Sequence, residues 1–301
     1  MDIGTQESIP IDTFPLRLVT PERFNTIISA LQVRGFTEQY AKQSLKEAGF
    51  PGITAEPFSP GRLTQTESLL LKVFVQLDPV PQKEFREAVG QSALEAMLDA
   101  DLLRLDAANP GQLHSSVLLC PVQDVIIASD RYNLAPNAVS HVEDVYPAIR
   151  TSEFINLLPR NKVETVLDLC TGAGVCGVAL ANCSQRVTLC DITPRSAHYA
   201  EFNCRLNRCH NVEVLQGDLY QPVGERTFQR IIAHPPYMPN VNDVRTWRDG
   251  GSLGDSIIRR IVEGLPNHLE RGGDFTAFCL GTDTDKSRFE QTVRTWLGAS
   301  D

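Results

Sequence analysis

The chain has 301 residues, 42% hydrophobic and 22% charged, with 20 Gly and 19 Pro, which gives enough length for two domains or one large one and an ordinary globular composition. A formal charge of -9 argues against a general nucleic-acid binder, whose affinity rests on Lys and Arg against phosphates. The opening MDIGTQESIPIDTF has neither a basic start nor an apolar stretch, and no run approaches the ~20 apolar residues of a membrane span. A soluble, cytoplasmic protein without membrane contact is expected.

Residues 21–50 read as two short helices, with Phe24, Ile27, Ile28 and Leu31 at helical spacing, broken by Pro51-Gly52. A second helical set covers 66–77, 82–89 and 92–103 and leads into two β-like runs, Ser115 to Leu119 and Val125 to Ser129. Three helices and a hairpin resemble a winged-helix arrangement. Its basic residues Arg62, Lys72, Lys83, Arg86 and Arg104 are outnumbered by Glu67, Asp78, Glu84, Glu87, Glu95, Asp99, Asp101 and Asp106. That balance favours a substrate or cap domain over a DNA reader.

Residues 1–132 are therefore assigned to an N-terminal helical, winged-helix-like substrate or cap domain, and 133–160 to a connector ending in a helix near 151–158. From 161 to 301 strands and helices alternate, which predicts a Rossmann-like α/β domain with a parallel sheet. Strands are expected at 163–169, 186–191, 211–215, 228–233 and 273–280, and helices at 174–182, 194–206, 254–269 and 285–297. The eight cysteines lie in apolar segments with no C-x-x-C pair, the pattern of reduced, packed thiols. His114, His198, His210 and His268 have no metal-ligand spacing, so no metal is assigned.

Four features of the α/β half carry chemistry. Strand Val166 to Leu169 runs into Cys170-Thr171-Gly172-Ala173-Gly174, a glycine turn that lets backbone approach a ligand at a helix N-terminus. Asp191 closes the next strand 19 residues after Gly172, where a carboxylate can accept from ribose hydroxyls. Both are shared with nicotinamide enzymes. Asp168 inside the first strand end, and Asp218 after the third strand, are additional acids at carboxyl ends of the sheet. The fourth feature is His234-Pro235-Pro236-Tyr237 after the apolar run Phe228 to Ala233: two prolines stop the ladder and open a rigid loop where such sheets bind ligands.

Taken together, these features resemble a class I S-adenosylmethionine-dependent methyltransferase of the (Asn/Asp/Ser)-Pro-Pro-Tyr group, with His at the variable first position. Asp249-Gly250-Gly251-Ser252-Leu253-Gly254 and the approach Ile149-Arg150-Thr151-Ser152 are similar to segments of release-factor glutamine methyltransferases, a likeness spanning residues 147–298. The resemblance implies S-adenosyl-L-methionine as cofactor. It implies Asp168, Thr171, Gly172 and Gly174 at its methionine end, Asp191 and Ile192 at the ribose, Asp218 and Leu219 at the adenine, and His234 beside the transferred methyl. The family often has Gly where Cys170 stands, so a displaced loop is expected there. Its sheet normally adds an antiparallel hairpin after the last helix, which implies that the hairpin is replaced or that these residues are the front part of a longer polypeptide. His234 and that early end also resemble the methyltransferase half of cyanobactin-type methyltransferase–prenyltransferases.

In the group, the side-chain oxygen at position 234 and the next carbonyl hold a planar amide or amino nitrogen, with Tyr237 packed on its plane. A neutral imidazole offers one donor and one acceptor, and an imidazolium two donors, which match a hydroxyl or carboxylate better. O-methylation of a peptide or small molecule is accordingly expected, with His234 and Tyr237 catalytic and Pro235, Pro236, Tyr237, Tyr146 and Arg150 around the acceptor. His141, Trp247 and Arg248 are further lining candidates. Protein glutamine amide N-methylation and RNA base methylation are the alternatives. A nicotinamide oxidoreductase is disfavoured by Asp168, Asp218 and the Pro-Pro-Tyr.

Overall fold

The protein is described from a computed structural model, in residues 14–33, 35–47, 61–130, 144–239, 245–283 and 287–298. Helix α1 (Pro21–Leu31) starts where Thr20 accepts the Arg23 N–H and Pro21 presets the first turn, and it buries Phe24, Ile27, Ile28 and Leu31. Helix α2 is Glu38–Glu47, and α3 (Gln65–Leu70) continues through a π-helical turn to Gln76. Thr64 and Glu67 form a capping box on α3, and the Glu67 carboxylate also receives the Gly35 N–H at 2.8 Å. Then come β1 (Val80–Pro81), α4 (Gln82–Val89), α5 (Gln91–Asp99), β2 (Leu103–Leu105) and β3 (Gln112–Ser115). The three strands make an antiparallel sheet in the order β1-β3-β2 beside the helices, which is the expected winged-helix-like arrangement.

Its wing is not the predicted hairpin. The helix expected to reach Leu103 ends at Asp99, Asp101 turns left-handed with φ 55°, and Leu103 already belongs to β2. Ser115, expected to open a strand, closes β3. Its hydroxyl bonds to the carbonyls of Leu102 and Val117, bending the chain between sheets. The second hairpin, β4 (Leu118–Val122) and β5 (Val125–Ser129), pairs only with itself and packs between α2 and the π-helical turn on one side and the α/β half on the other.

That half opens with a short 3-10 turn and α6 (Ser152–Leu157), then alternates β6 (Val163–Leu169), α7 (Val175–Leu180), β7 (Ser184–Asp191), α8 (Pro194–Leu206), β8 (Val212–Gln216), β9 (Phe228–Ala233), α9 (Ser256–His268), β10 (Leu269–Ala277) and α10 (Phe289–Trp296). The strands form one parallel sheet in the order β10-β9-β6-β7-β8. After β8 the chain crosses back over β6 to place β9 on its other side. The carboxyl ends of β6 and β9 therefore flank a topological switch point, where an open α/β sheet leaves a crevice. At the opposite end, the fully buried Arg230 spans β9 and β10 through Asp274, at 2.7 and 2.9 Å, and also binds Asn161. The expected strands and helices are all present with ends shifted by a few residues. Residues 284–286, at the start of the last expected helix, lie outside the described residues, as do residues 131–143, which include the first part of the expected connector. No helix among the described residues is long and apolar enough to cross a membrane.

The two halves share a hydrophobic cluster that runs from Leu16 and Phe24 to Tyr199, Phe202 and Ile232. Phe24 of α1 meets Phe202 of α8 edge-on at 5.1 Å. Asn203 on α8 is fully buried; its side chain accepts the Ala128 N–H at 2.8 Å and donates to the carbonyls of Ala128 and Ala173, at 2.9 and 2.8 Å. One amide thereby joins β5, α8 and the glycine turn after β6. Asn203→Ala should cost about 2–4 kcal/mol, since it strands buried backbone groups worth about 1–3 kcal/mol each. Urea denaturation would measure this, and a loss below about 0.5 kcal/mol would mean that water replaces the amide.

Candidate active site

The carboxyl ends of β6, β7, β8 and β9 open on a cavity of about 550 Å³. Asp168, Thr171, Gly172, Asp191, Ile192, Asp218, Leu219, His234, Pro235, Pro236, Tyr237, Tyr146 and Arg150 all line it. Gly174 does not. It stands behind the turn with φ 81°, where an added Cβ would lie 3.1 Å from the Ala200 Cβ, so it serves the turn and its packing on α8.

The first floor of the cavity is the turn Cys170 to Gly174. Asp191 shapes it from the next strand: one carboxylate oxygen receives the Gly172 N–H at 2.8 Å, the other the Thr193 N–H at 3.2 Å. Cys170 takes φ 56°, the left-handed backbone that glycine favours, so the turn keeps the glycine-type path expected to be displaced there. Thr193 caps α8, and Ser196, whose N–H it receives at 3.0 Å, also faces the cavity.

Asp168 is buried below this turn. Burial pushes its carboxyl up to about 7, against the Thr171 hydroxyl, which donates to it at 2.6 Å, and the Gly177 N–H at 3.0 Å; nearby Asp191 adds to the rise. Burial also raises Asp191, opposed by the N–H groups it accepts. Two acids in one desolvated cavity suit a ligand that brings both a cation and hydroxyl groups. Cys170, Cys176 and Cys190 also line the cavity, and burial raises all three thiols, Cys190 to about 12. All eight cysteines are free, and these thiols are packing groups rather than nucleophiles.

At the far side, Ile192 is 53% exposed over the cavity while Leu219, at φ 49°, is buried. Beside Leu219, Asp218 receives a guanidinium N–H of Arg260 on α9 at 2.7 Å.

The His234 to Tyr237 loop forms the other end. Its ring lies 5.5 Å from Phe154 of α6, 5.1 Å from Phe278 after β10, and 5.9 Å from Tyr237 at an interplanar angle of 14°. Phe278 is held there by its N–H on the Ala233 carbonyl at 3.0 Å. Burial lowers the imidazole to about 4, so it is neutral at physiological pH. Among the described residues neither ring nitrogen of His234 has a hydrogen-bond partner, which leaves no strand-capping role for it. Tyr146 packs against Trp247 at 4.9 Å, and Arg150 lies over the Tyr146 ring. Trp247 and Arg248 do line the cavity; His141 lies outside the described residues.

The glycine-rich segment is a brace for that loop. The Met238 N–H bonds to the Arg248 carbonyl at 2.8 Å and the Gly250 N–H to the Met238 carbonyl at 3.0 Å. A Cβ on Gly250 would stand 2.7 Å from the Pro236 carbonyl, so only glycine lets the two segments lie this close.

Phe154, Phe278 and Arg260 had no place in the sequence reading. Phe278 had a signal, since it directly follows a strand at the carboxyl end of the sheet. Phe154 and Arg260 sit on helices, where nothing local marks a residue that turns toward a site.

The raised carboxyl of Asp168 fixes a sign. Its folded value lies above the ordinary carboxylate value, so its contribution to stability is present below pH ~4 and is lost as pH rises toward about 7. Asp168→Asn should flatten the fall in stability of the unliganded protein between pH 4 and 7. Thermal melts of both proteins across that range test it, and parallel curves would place Asp168 in contact with water.

Residues 149–281 match the family model described as the methyltransferase small domain. A protein of Methanocaldococcus jannaschii named for protein N5-glutamine methyltransferase activity is 30% identical over 140 residues, 44% of this chain and 70% of that protein. The release factor glutamine methyltransferase of Thermodesulfovibrio yellowstonii is 29% identical over 38% of this chain, which spans 45%, about half, of that relative. Among solved structures, the ribosomal protein L11 methylase of Lactobacillus delbrueckii subsp. bulgaricus overlaps 48% of this chain and 62% of that one, at 19% identity and a TM-score of 0.35. With its glycine turn, acidic strand ends and Pro-Pro-Tyr loop about one cavity, the chain belongs to the class I S-adenosylmethionine-dependent methyltransferases and is similar to the release-factor glutamine methyltransferases.

Proposed function

We propose that the enzyme methylates the side-chain amide nitrogen of a glutamine in a protein. The observation that carries this reading is the neutral His234 in its aromatic surround. A carboxylate acceptor would need an imidazolium to hold it, and a ring lowered to about 4 is uncharged at neutral pH. A hydroxyl acceptor would need a general base near the working pH, and the same ring is too weak for that. A neutral imidazole can still present one acceptor nitrogen. Set beside the Pro235 carbonyl, it offers the two acceptors that a primary amide NH2 requires. The names of the relatives support the same acceptor, so the expectation of O-methylation gives way to its alternative.

The bound cofactor supplies a sulfonium methyl group. Asp191, with Ile192 beside it, would hold the ribose hydroxyls, Asp218 and Leu219 would line the adenine, and Asp168 would meet the methionine ammonium. His234 and the Pro235 carbonyl would accept the amide hydrogens and turn the nitrogen lone pair toward the methyl; as the C–N bond forms, the C–S bond breaks, S-adenosyl-L-homocysteine leaves and one amide proton passes to solvent. Tyr237 packs on the amide plane. Tyr146, Trp247 and Arg150 shape the opening through which the glutamine side chain enters. No described residue before Asp144 lines the cavity, so residues 1–132 act as an outer surface that receives the protein acceptor.

The direct test is mass spectrometry of glutamine-containing and glutamate-containing peptides and proteins after incubation with enzyme and labelled cofactor. Label on glutamine amide is expected, and label on carboxylates alone would refute the reading. His234→Ala should lower turnover by about ten- to a hundredfold, or roughly 1.4–2.7 kcal/mol of barrier, with cofactor affinity unchanged. His234→Asn restores a fixed carbonyl acceptor and should stay within about tenfold of the parent. An Asn variant as inactive as Ala would mean that the imidazole does something an amide cannot.

Asp191→Ala should weaken binding of the demethylated cofactor about 10- to 150-fold, the loss of a charge-assisted bond of ~1.5–3 kcal/mol. Calorimetry gives the number, and unchanged affinity would remove Asp191 from the ribose.

A further inference from the structure

We infer that Arg260 sets the purine preference of the cofactor site by holding one oxygen of Asp218 and so fixing how the other meets the base. The inference rests on Asp218 being the adenine contact. Arg260 lies on α9, 42 residues from Asp218, and donates to its Oδ2 at 2.7 Å. The helix is itself bolted to the turn after β8. The Tyr220 hydroxyl donates to the Ile261 carbonyl at 2.8 Å, and Gly264 leaves room for the Tyr220 ring, which a Cβ there would meet at 2.3 Å. Ile257, one turn before Arg260, lines the cavity. The guanidinium thus comes from a helix already fixed against the carboxylate it binds.

An adenine ring offers an amino donor at its 6-position. A 6-oxo purine offers an acceptor there and a donor on the adjacent ring nitrogen. A carboxylate free to rotate could turn an oxygen toward that ring N–H and accept either base. With Oδ2 held by Arg260, that rotation breaks a charge-assisted bond. The remaining oxygen stays where it suits the amino group and opposes the 6-oxo oxygen. Arg260 is accordingly a positioning residue, acting through Asp218 and out of the cavity lining itself.

Both side chains are roughly half exposed, 49% for Arg260 and 40% for Asp218, so water screens the pair and its effect is modest. The experiment is calorimetric titration of the full chain with S-adenosyl-L-homocysteine and with its 6-oxo analogue, S-inosyl-L-homocysteine. Arg260→Ala should weaken the adenosyl ligand about two- to fivefold while leaving the inosyl ligand unchanged or slightly tighter. Arg260→Lys should recover part of the lost preference. Asp218→Ala should erase it. Equal weakening of both ligands in Arg260→Ala, or no change in either, would overturn the inference, the former assigning Arg260 to support of α9 alone. Preference persisting in Asp218→Ala would overturn it by a separate route, because Asp218 would then not touch the base.

Discussion

The Asp191 carboxylate is the contact on which the rest of the site depends. A glycine turn has no shape of its own, since its residues can take either hand of backbone at little cost. Here the turn is held from the neighbouring strand by the bond from the Gly172 N–H, while the second oxygen fixes the start of α8 through Thr193. Because β7 lies between β6 and β8 in the sheet, a residue at its end can reach both the glycine turn and the helix that follows. A buried acid costs free energy unless donors meet it, and these N–H groups are those donors. In the proposed binding mode the ribose hydroxyls would meet a carboxylate already placed, which limits the ordering left to do.

A second constraint works at the acceptor end, where the protein uses apolar surface to settle a protonation state. Phe154, Phe278 and Tyr237 come from a helix, a strand end and the loop itself, and together they withdraw His234 from water. The same desolvation that neutralises His234 raises Asp168 in the same cavity. The imidazole loses its charge because it has no anion beside it. The carboxyl, raised to about 7 by burial, is partly protonated at neutral pH. The cavity thus has acidic groups at its glycine-turn end and an uncharged, aromatic surround at its His234 end.

Much of this was legible in the sequence because parallel strands buried on both faces read as unbroken apolar runs, and their ends are marked by Gly, Asp and Pro. Val163 to Leu169 and Phe228 to Ala233 match β6 and β9 to the residue. The wing was misread because β1 and β2 are two and three residues long, whereas the self-paired hairpin β4–β5 reads as two longer, almost wholly apolar runs. In the site, the cavity-lining residues that lie within a few positions of strand ends were expected from the sequence. The residues that set their environment were not. Phe278 and Arg260 act across 44 and 42 residues of chain, and helical Phe154 looks like any other core aromatic. His234 shows the limit most plainly: its identity was plain, but its charge is a property of neighbours brought in by folding.

The Asn203 amide has a consequence for how the chain can be divided. Because it binds both backbone groups of Ala128 and also the Ala173 carbonyl in the glycine turn, the β4–β5 hairpin is tied to the catalytic half although it precedes it in sequence. A division that keeps the hairpin with that half therefore falls at Ser116 and Val117, between β3 and β4. Recombination or fusion that respects this division keeps the hairpin with the sheet it supports. A junction placed after 130 would deliver the glycine turn to its new partner without the backbone that Asn203 needs to hold it.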